Sequence, residues 1–187
     1  MKLPFDHITT PRLVLRPPEA GDWDAFRNFL MENPRAEFVG GGPKSDNTRR
    51  TIWRAFGHSI GHWVIRDYGP FIATDKADGT PIGWVGPWCP EGWPEPEIAW
   101  SLWSDSHEGK GYAHEAAVAA INWAYSHTDI QSFVSYVDHD NARSAALAKR
   151  LGCVIDANAP RFEDEDDSYD VWRHPAPDAD GTPEAYA

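Results

Sequence analysis

The residues best placed to do chemistry in this chain are Glu108-Gly109-Lys110-Gly111-Tyr112-Ala113. Two glycines one residue apart let the backbone turn sharply and keep side chains away from the amides. The amides that open a helix have no partners inside it and sit at the positive end of its dipole. A glycine turn that empties into the alanine-rich stretch from Ala113 to about Tyr125 is therefore a socket for a phosphate or pyrophosphate, and it points to a nucleotide-type cofactor. The loop is not a Walker A sequence, which needs four residues between its glycines and a Lys-Ser/Thr pair. Nor is it the dinucleotide fingerprint, whose third glycine would fall at His114. An ordinary tight turn uses the same Gly-x-Gly.

Other reactive side chains are dispersed. Cys89 and Cys153 lie far apart in different contexts, which suggests neither a disulfide framework nor a metal cluster, and Cys153 reads as a core residue. His107 and His114 flank the glycine turn without metal-ligand spacing, so no metal is expected. Among ten tryptophans, Trp84, Trp88, Trp93, Trp100 and Trp103 fall close together, enough to line an aromatic pocket or to fill a core. A net charge of −12 argues against nucleic acid as a partner and favours a cationic one, or simply serves solubility. Glu163, Asp164, Glu165, Asp166, Asp167 and Asp170 concentrate that charge.

The elements that must position these residues alternate. With 187 residues, 41% hydrophobic and 25% charged, the chain fits one domain with one substantial core. Leu13 to Arg16 reads as a first strand. Asp22 reads as the N-cap of a helix with Trp23, Phe26, Phe29 and Leu30 on one face, and Ser45 or Asp46 as the start of a second helix running towards Trp63. Phe71–Thr74 and Pro81–Gly86 form a hairpin around Lys76-Ala77-Asp78-Gly79-Thr80, and Glu97–Trp103 alternates as a fourth strand. A helix follows the glycine turn, with Ala116, Ala117, Ala120, Ile121 and Ala124 along one side. Phe133–Val137 is a strand, and a helix from about Asn141 ends at Gly152. Val154-Ile155 and Tyr169–Trp172 are the last strands, and residues 175–187 are expected to be a loose tail after a domain spanning 1–174. The result is an α/β domain with a mixed, mostly antiparallel sheet flanked by about four helices. Neither a signal peptide nor a run of about 18 apolar residues is visible, so a cytoplasmic protein with no membrane contact is expected.

In this order and spacing the chain resembles the GNAT superfamily of acyl-CoA-dependent N-acyltransferases, and most closely its ribosomal-protein N-terminal acetyltransferase-like branch. The resemblance spans roughly residues 8 to 174. It rests on Thr10-Pro11-Arg12-Leu13-Val14-Leu15-Arg16, Glu97-Ile98-Ala99-Trp100, Glu108 to Ala116, and Asp138-His139-Asp140-Asn141-Ala142-Arg143-Ser144 with Leu151-Gly152 after it. It implies a sheet splayed between the fourth and fifth strands, at a bulge near Leu102 and Trp103, where backbone groups pair with the pantetheine arm of acetyl-CoA like an added strand. It implies that the amides of Glu108, Gly109, Lys110, Gly111, Tyr112 and Ala113 wrap the pyrophosphate. Glu108 stands where the family has Gln or Arg, and Lys110 is the nearest positive charge to offset it. Tyr112 and Glu115 are expected to fix the loop and the helix start.

The resemblance also assigns roles for acyl transfer, which needs a base for the amine, a donor for the carbonyl and a proton for the thiolate. Glu97 matches the fourth-strand glutamate, either as general base through a water or as a carboxylate that holds a loop or the acceptor. Many members place a tyrosine seven residues after the asparagine matching Asn141. Here that position is Ala148, and Ser144 takes the place of the serine used in the resembled branch, either as general acid or as a capping residue. Asn141 both caps its helix and contacts the pantetheine. His139 reads as a turn residue. Three readings follow: an N-acetyltransferase acting by direct transfer in a ternary complex, a CoA-binding sensor or module without catalysis, and an α/β interaction domain whose glycines are structural. The acceptor is a cationic amine, with the acidic run bordering its cleft, and a homodimer is possible within the resembled family.

Overall fold

A computed structural model describes residues 7–163 and 168–177. The order is β1 (Ile8–Thr9), β2 (Leu13–Arg16), α1 (Trp23–Glu32), α2 (Arg49–Arg66), β3 (Phe71–Asp75), β4 (Pro81–Trp88), β5 (Glu97–Leu102), α3 (Tyr112–His127), β6 (Val134–Asp138), α4 (Ala142–Arg150), β7 (Val154–Ile155) and β8 (Tyr169–Arg173). Short 3-10 turns cover Ala20–Asp22, Pro34–Val39 and Asp105–His107. The strands form one sheet in the order β1-β2-β3-β4-β5-β6-β8-β7. Every neighbouring pair is antiparallel except β5 and β6. This is the mixed α/β domain expected, with one small extra strand at its start.

Each face of the sheet carries a core. On one side, Ala116, Ala117, Ala120, Ile121 and Ala124 of α3 meet Leu13, Leu15, Val85 and Ile98. The alanines along this side let the helix lie close to the strands. On the other side, Phe26, Phe29 and Leu30 of α1 and Ile52 and Phe56 of α2 enclose Ile72 and Trp103. Side chains alternate along β5. Ile98 accordingly belongs to the first core, with Trp100 and Leu102 packed against it, while Trp103 belongs to the second.

The helix starts differ from the sequence expectation for local reasons. Asp22 makes no cap bond to α1. It is 1% exposed, and both carboxylate oxygens accept from Arg16 at 2.8 Å, with a further bond from the Glu19 amide at 2.7 Å. A buried carboxylate needs that partner more than the helix needs a cap. Helix α2 begins at Arg49 rather than near Ser45, because Thr48 and Thr51 form a reciprocal capping box there.

The sheet is splayed where expected. The fourth sequence-predicted strand is β5 and the fifth is β6, and among the described residues they share one register position, Glu97 opposite Val134. The expected bulge at Leu102 and Trp103 is absent: β4 and β5 stay in unbroken register from Gly83–Leu102 to Trp88–Glu97. The nearest register shift lies at Ala73/Thr74, between β3 and β4. Strand β4 approaches β5 so closely that a β-carbon at Gly83 would stand 2.2 Å from the Ser101 carbonyl oxygen.

Because backbone rather than a movable side chain blocks that position, Gly83→Ala should cost about 2 kcal/mol or more. A denaturant midpoint equal to that of the unsubstituted protein would contradict the close β4–β5 approach.

Candidate active site

The glycine turn joins the end of β5 to the start of α3. Gly109 and Gly111 adopt φ of 69° and 81°, a left-handed conformation that glycine enters without strain. Gly111 is the N-cap of α3 and supplies no side-chain cap. The first-turn amides are thus left for solvent or an anion.

A clamp from the chain's beginning fixes this turn. Glu115, in the first turn of α3, accepts from the Thr10 hydroxyl at 2.6 Å, the Arg12 amide at 2.9 Å and Arg12 Nε at 2.6 Å. Arg12 Nη1 donates to the Lys110 carbonyl at 2.7 Å, and its guanidinium lies 4.4 Å over the Tyr112 ring. Burial pushes the Glu115 carboxyl up, but the bonds from Thr10 and Arg12 outweigh it and hold the group below its usual range.

Glu108 is answered by arginines, not by Lys110. Arg35 Nη1 and Arg143 Nη1 both donate to its carboxylate, the latter at 3.0 Å, and Arg35 also pairs with Asp105 at 2.6 Å. These residues line a cleft of about 860 Å³ with Trp103, Ser104 and His107. Arg35 lies far away in sequence, and nothing there signals it.

The free edge of β5 can be read from its bonds. The Trp103 amide donates to Ile82 of β4, and its carbonyl accepts from Asn33 Nδ2 at 3.2 Å. The Ile98 carbonyl faces the other way and accepts from Ser135 of β6 at 2.6 Å. Alternation therefore turns the N–H and C=O of Trp100 and Leu102 towards the gap between β5 and β6. Trp103 itself is buried, and both of its backbone groups already have partners.

The gap separates two chemically distinct sides. Glu97 opens into a second cleft of about 590 Å³ on the side of α1 and α2, where Trp93 Nε1 donates to its carboxylate at 2.9 Å. Trp100 points to the opposite side, and its indole N–H donates to Ser144 Oγ at 3.2 Å. That bond uses an oxygen lone pair of Ser144 and leaves its proton to donate elsewhere. The Asn141 side chain accepts from the Ser144 amide at 3.1 Å, so the asparagine is the N-cap of α4. Ala148 is fully buried in the core.

The apex of the gap is pinned. Ser135 donates its single proton to Ile98, which makes His174 Nε2, 2.9 Å from Ser135 Oγ, the donor to Ser135. Burial, with Arg173 adding to it, pushes the His174 pKa down to about 3, so the ring is neutral. Arg173 holds Glu95 through bonds of 2.6 and 3.0 Å and Asp156 through bonds of 3.0 and 2.9 Å.

The remaining candidates stay outside this arrangement. Both cysteines are free, and burial raises the Cys153 thiol to about 12, which keeps it unreactive. His139 is a surface turn residue whose Nε2 lies 3.4 Å from Asp170. No group of metal-binding side chains occurs among the described residues. Asp164, Glu165, Asp166 and Asp167 lie outside the described residues, although Phe162 and Ser168 on either side line the Glu97 cleft. Among the described residues, no helix is long and apolar enough to cross a membrane.

Comparison with known proteins adds to this geometry. Residues 12–154 match a family model described as an acetyltransferase (GNAT) domain. The crystal structure of an acetyltransferase from Agrobacterium tumefaciens str. C58 is 34% identical, covers 93% of this chain and 96% of its own, and superposes with a TM-score of 0.81. An uncharacterized N-acetyltransferase, YnaD, of Bacillus subtilis (strain 168) is 24% identical over 78% of this chain and 81% of its own. A spermidine N-acetyltransferase from Vibrio cholerae, in complex with CoA and spermine, shares the fold with a TM-score of 0.63 at 19% identity over 88% of this chain and 94% of its own.

The Glu115 clamp predicts a pH signature. A carboxyl held below its ordinary 4.5 contributes stability that is present above the unfolded pKa and lost as pH falls through the folded one. Glu115→Gln should therefore cost about 1–2 kcal/mol at pH 7, with the difference shrinking steadily below pH ~4.5. A difference that is constant from pH 7 to pH 3 would contradict the clamp.

Proposed function

This chain belongs to the GNAT acetyltransferase family, and from that premise we propose that it moves an acetyl group from acetyl-CoA to a primary amine by direct transfer in a ternary complex. The observation that carries the reading is the one-position contact between β5 and β6, with Glu97 on one side of the gap and Ser144 on the other. The residues present fit the co-substrate: uncapped amides at the start of α3 suit a pyrophosphate, and the free edge at Trp100 and Leu102 suits an amide-bearing arm.

Acetyl-CoA supplies an acyl carbon already activated as a thioester. The amides from Gly109 to Ala113 hold the pyrophosphate, with Arg143 beside them to share its charge, whereas the Glu108 amide, also expected to contribute, already donates to the Asp105 carbonyl at 3.1 Å. Trp100 and Leu102 take the edge-strand role, and Asn141 contacts the arm beside them. Glu97, oriented by Trp93, accepts the proton of the attacking amine through a water, so that nitrogen can bond to the acyl carbon. As the carbon–sulfur bond breaks, the Ser144 hydroxyl donates to the departing sulfur. Free Cys89 and Cys153 fit a reducing compartment such as the cytoplasm as the site of action.

A second reading, a CoA-binding module without catalysis, draws on Ala148, which stands, fully buried, where many members of the family place a tyrosine. Thiol release with a panel of amines separates the two.

Glu97→Gln should lower turnover by about a hundredfold or more with acetyl-CoA affinity nearly intact, as loss of a general base requires. Ser144→Ala should lower turnover less. Full activity of Glu97→Gln from pH 6 to pH 9 would place the base elsewhere.

A further inference from the structure

The walls of the Glu97 cleft carry information about what enters it. Five rings follow one another, three contacts edge to face and the last tilted. Trp84 and Trp88 stand 6.0 Å apart at 75°, Trp88 and Trp93 6.4 Å at 87°, Trp93 and Phe162 5.0 Å at 83°, and Phe162 and Tyr136 4.9 Å at 52°. All five line the cleft, and no lysine or arginine does so among the described residues.

Among the described residues, two carboxylates line the cleft, Glu97 and Asp138. Glu97 is oriented by the Trp93 indole at 2.9 Å. Near it, the Tyr136 hydroxyl is buried without a hydrogen-bond partner of normal geometry. Burial, and then the Glu97 charge, raise its pKa, so it stays a protonated donor. The other carboxylate, Asp138, lies four residues further along β6 from the Glu97–Val134 contact, roughly 13 Å at strand rise, and one of its oxygens already accepts from the Asp140 amide at 2.8 Å. Among the described residues, the Tyr136 and Phe162 rings lie between the two.

We propose that this cleft selects an amine whose body is apolar and aromatic-sized over flexible aliphatic amines and peptides. The inference rests on the reading of this cleft as the acceptor side. The ammonium meets Glu97 and the faces of Trp93 and its neighbours, where a cation gains from the ring quadrupole. The body displaces water from the ring wall.

The test is calorimetric titration of the full chain, in the presence of CoA, with 2-phenylethylamine, spermidine and a short alanine peptide. Phenylethylamine should bind at least tenfold more tightly than either of the others, and Phe162→Leu should weaken it at least fivefold while leaving spermidine unchanged. Spermidine or the peptide binding as tightly, no amine binding at all, or indifference to Phe162→Leu would overturn the inference. Failure of the transfer reading is separable: selective binding of phenylethylamine without thiol release would leave the selectivity standing and remove the catalysis. Preferential thiol release with spermidine would do the reverse.

Discussion

Strands β5 and β6 meet at Glu97 and Val134 and then part. A parallel pair held at one position gains little from its own ladder, so neighbouring side chains must hold it. Ser135 reaches the Ile98 carbonyl, His174 backs Ser135, and Arg173 ties β8 to Glu95 just before β5 begins. His174 backs Ser135 from Nε2, and burial favours its neutral ring. The parting leaves polar edge groups of Trp100 and Leu102 without a strand to pair with, a cost that a bound arm of similar shape would remove. It also places Glu97 and Ser144 on opposite sides of the sheet while keeping both beside the gap. One local constraint therefore sets the position of both candidate catalytic groups.

The loop next to the gap shows how a chain of net charge −12 can accommodate an anion. Charge at long range is screened beyond about 8 Å at physiological salt, so the groups within a few ångströms decide. Arg12 is fixed under the turn by Glu115 and Tyr112, while Arg35 and Arg143 share Glu108. The acidic residue where the family has Gln or Arg is thereby neutralised by arginines from two other parts of the chain. Arg143 remains mostly exposed and can turn towards a phosphate.

Much of this was legible in the sequence because it is encoded locally. The glycine turn, the alanine face of α3, the Asn141 cap and the Gly152 stop each follow from residue type at fixed spacing, and the resemblance joined them into a fold. The misreadings came from contacts distant in sequence. Asp22 is a good capping residue by type, but Arg16 claims it. Lys110 is the nearest cation to Glu108 along the chain, whereas Arg35 is the nearer one in space. Trp103 alternates correctly as a strand residue, yet the sequence does not say that its amide points to β4 and not to the gap. The five-ring wall was half visible: the tryptophans between Trp84 and Trp103 suggested a pocket, but Trp103 went to the core and Trp100 to Ser144. Phe162 and Tyr136 joined the wall from elements that no local pattern connects.

Amide hydrogen exchange of β5, with and without CoA, tests the central claim most directly. If the gap receives the pantetheine arm, the amides of Trp100 and Leu102 should become protected by at least about tenfold when CoA is added. The Trp103 amide, already bonded to Ile82, should change little. Binding of CoA that leaves Trp100 and Leu102 exchanging as before would show that the arm lies elsewhere, and the account of the splayed sheet as the seat of transfer would be wrong.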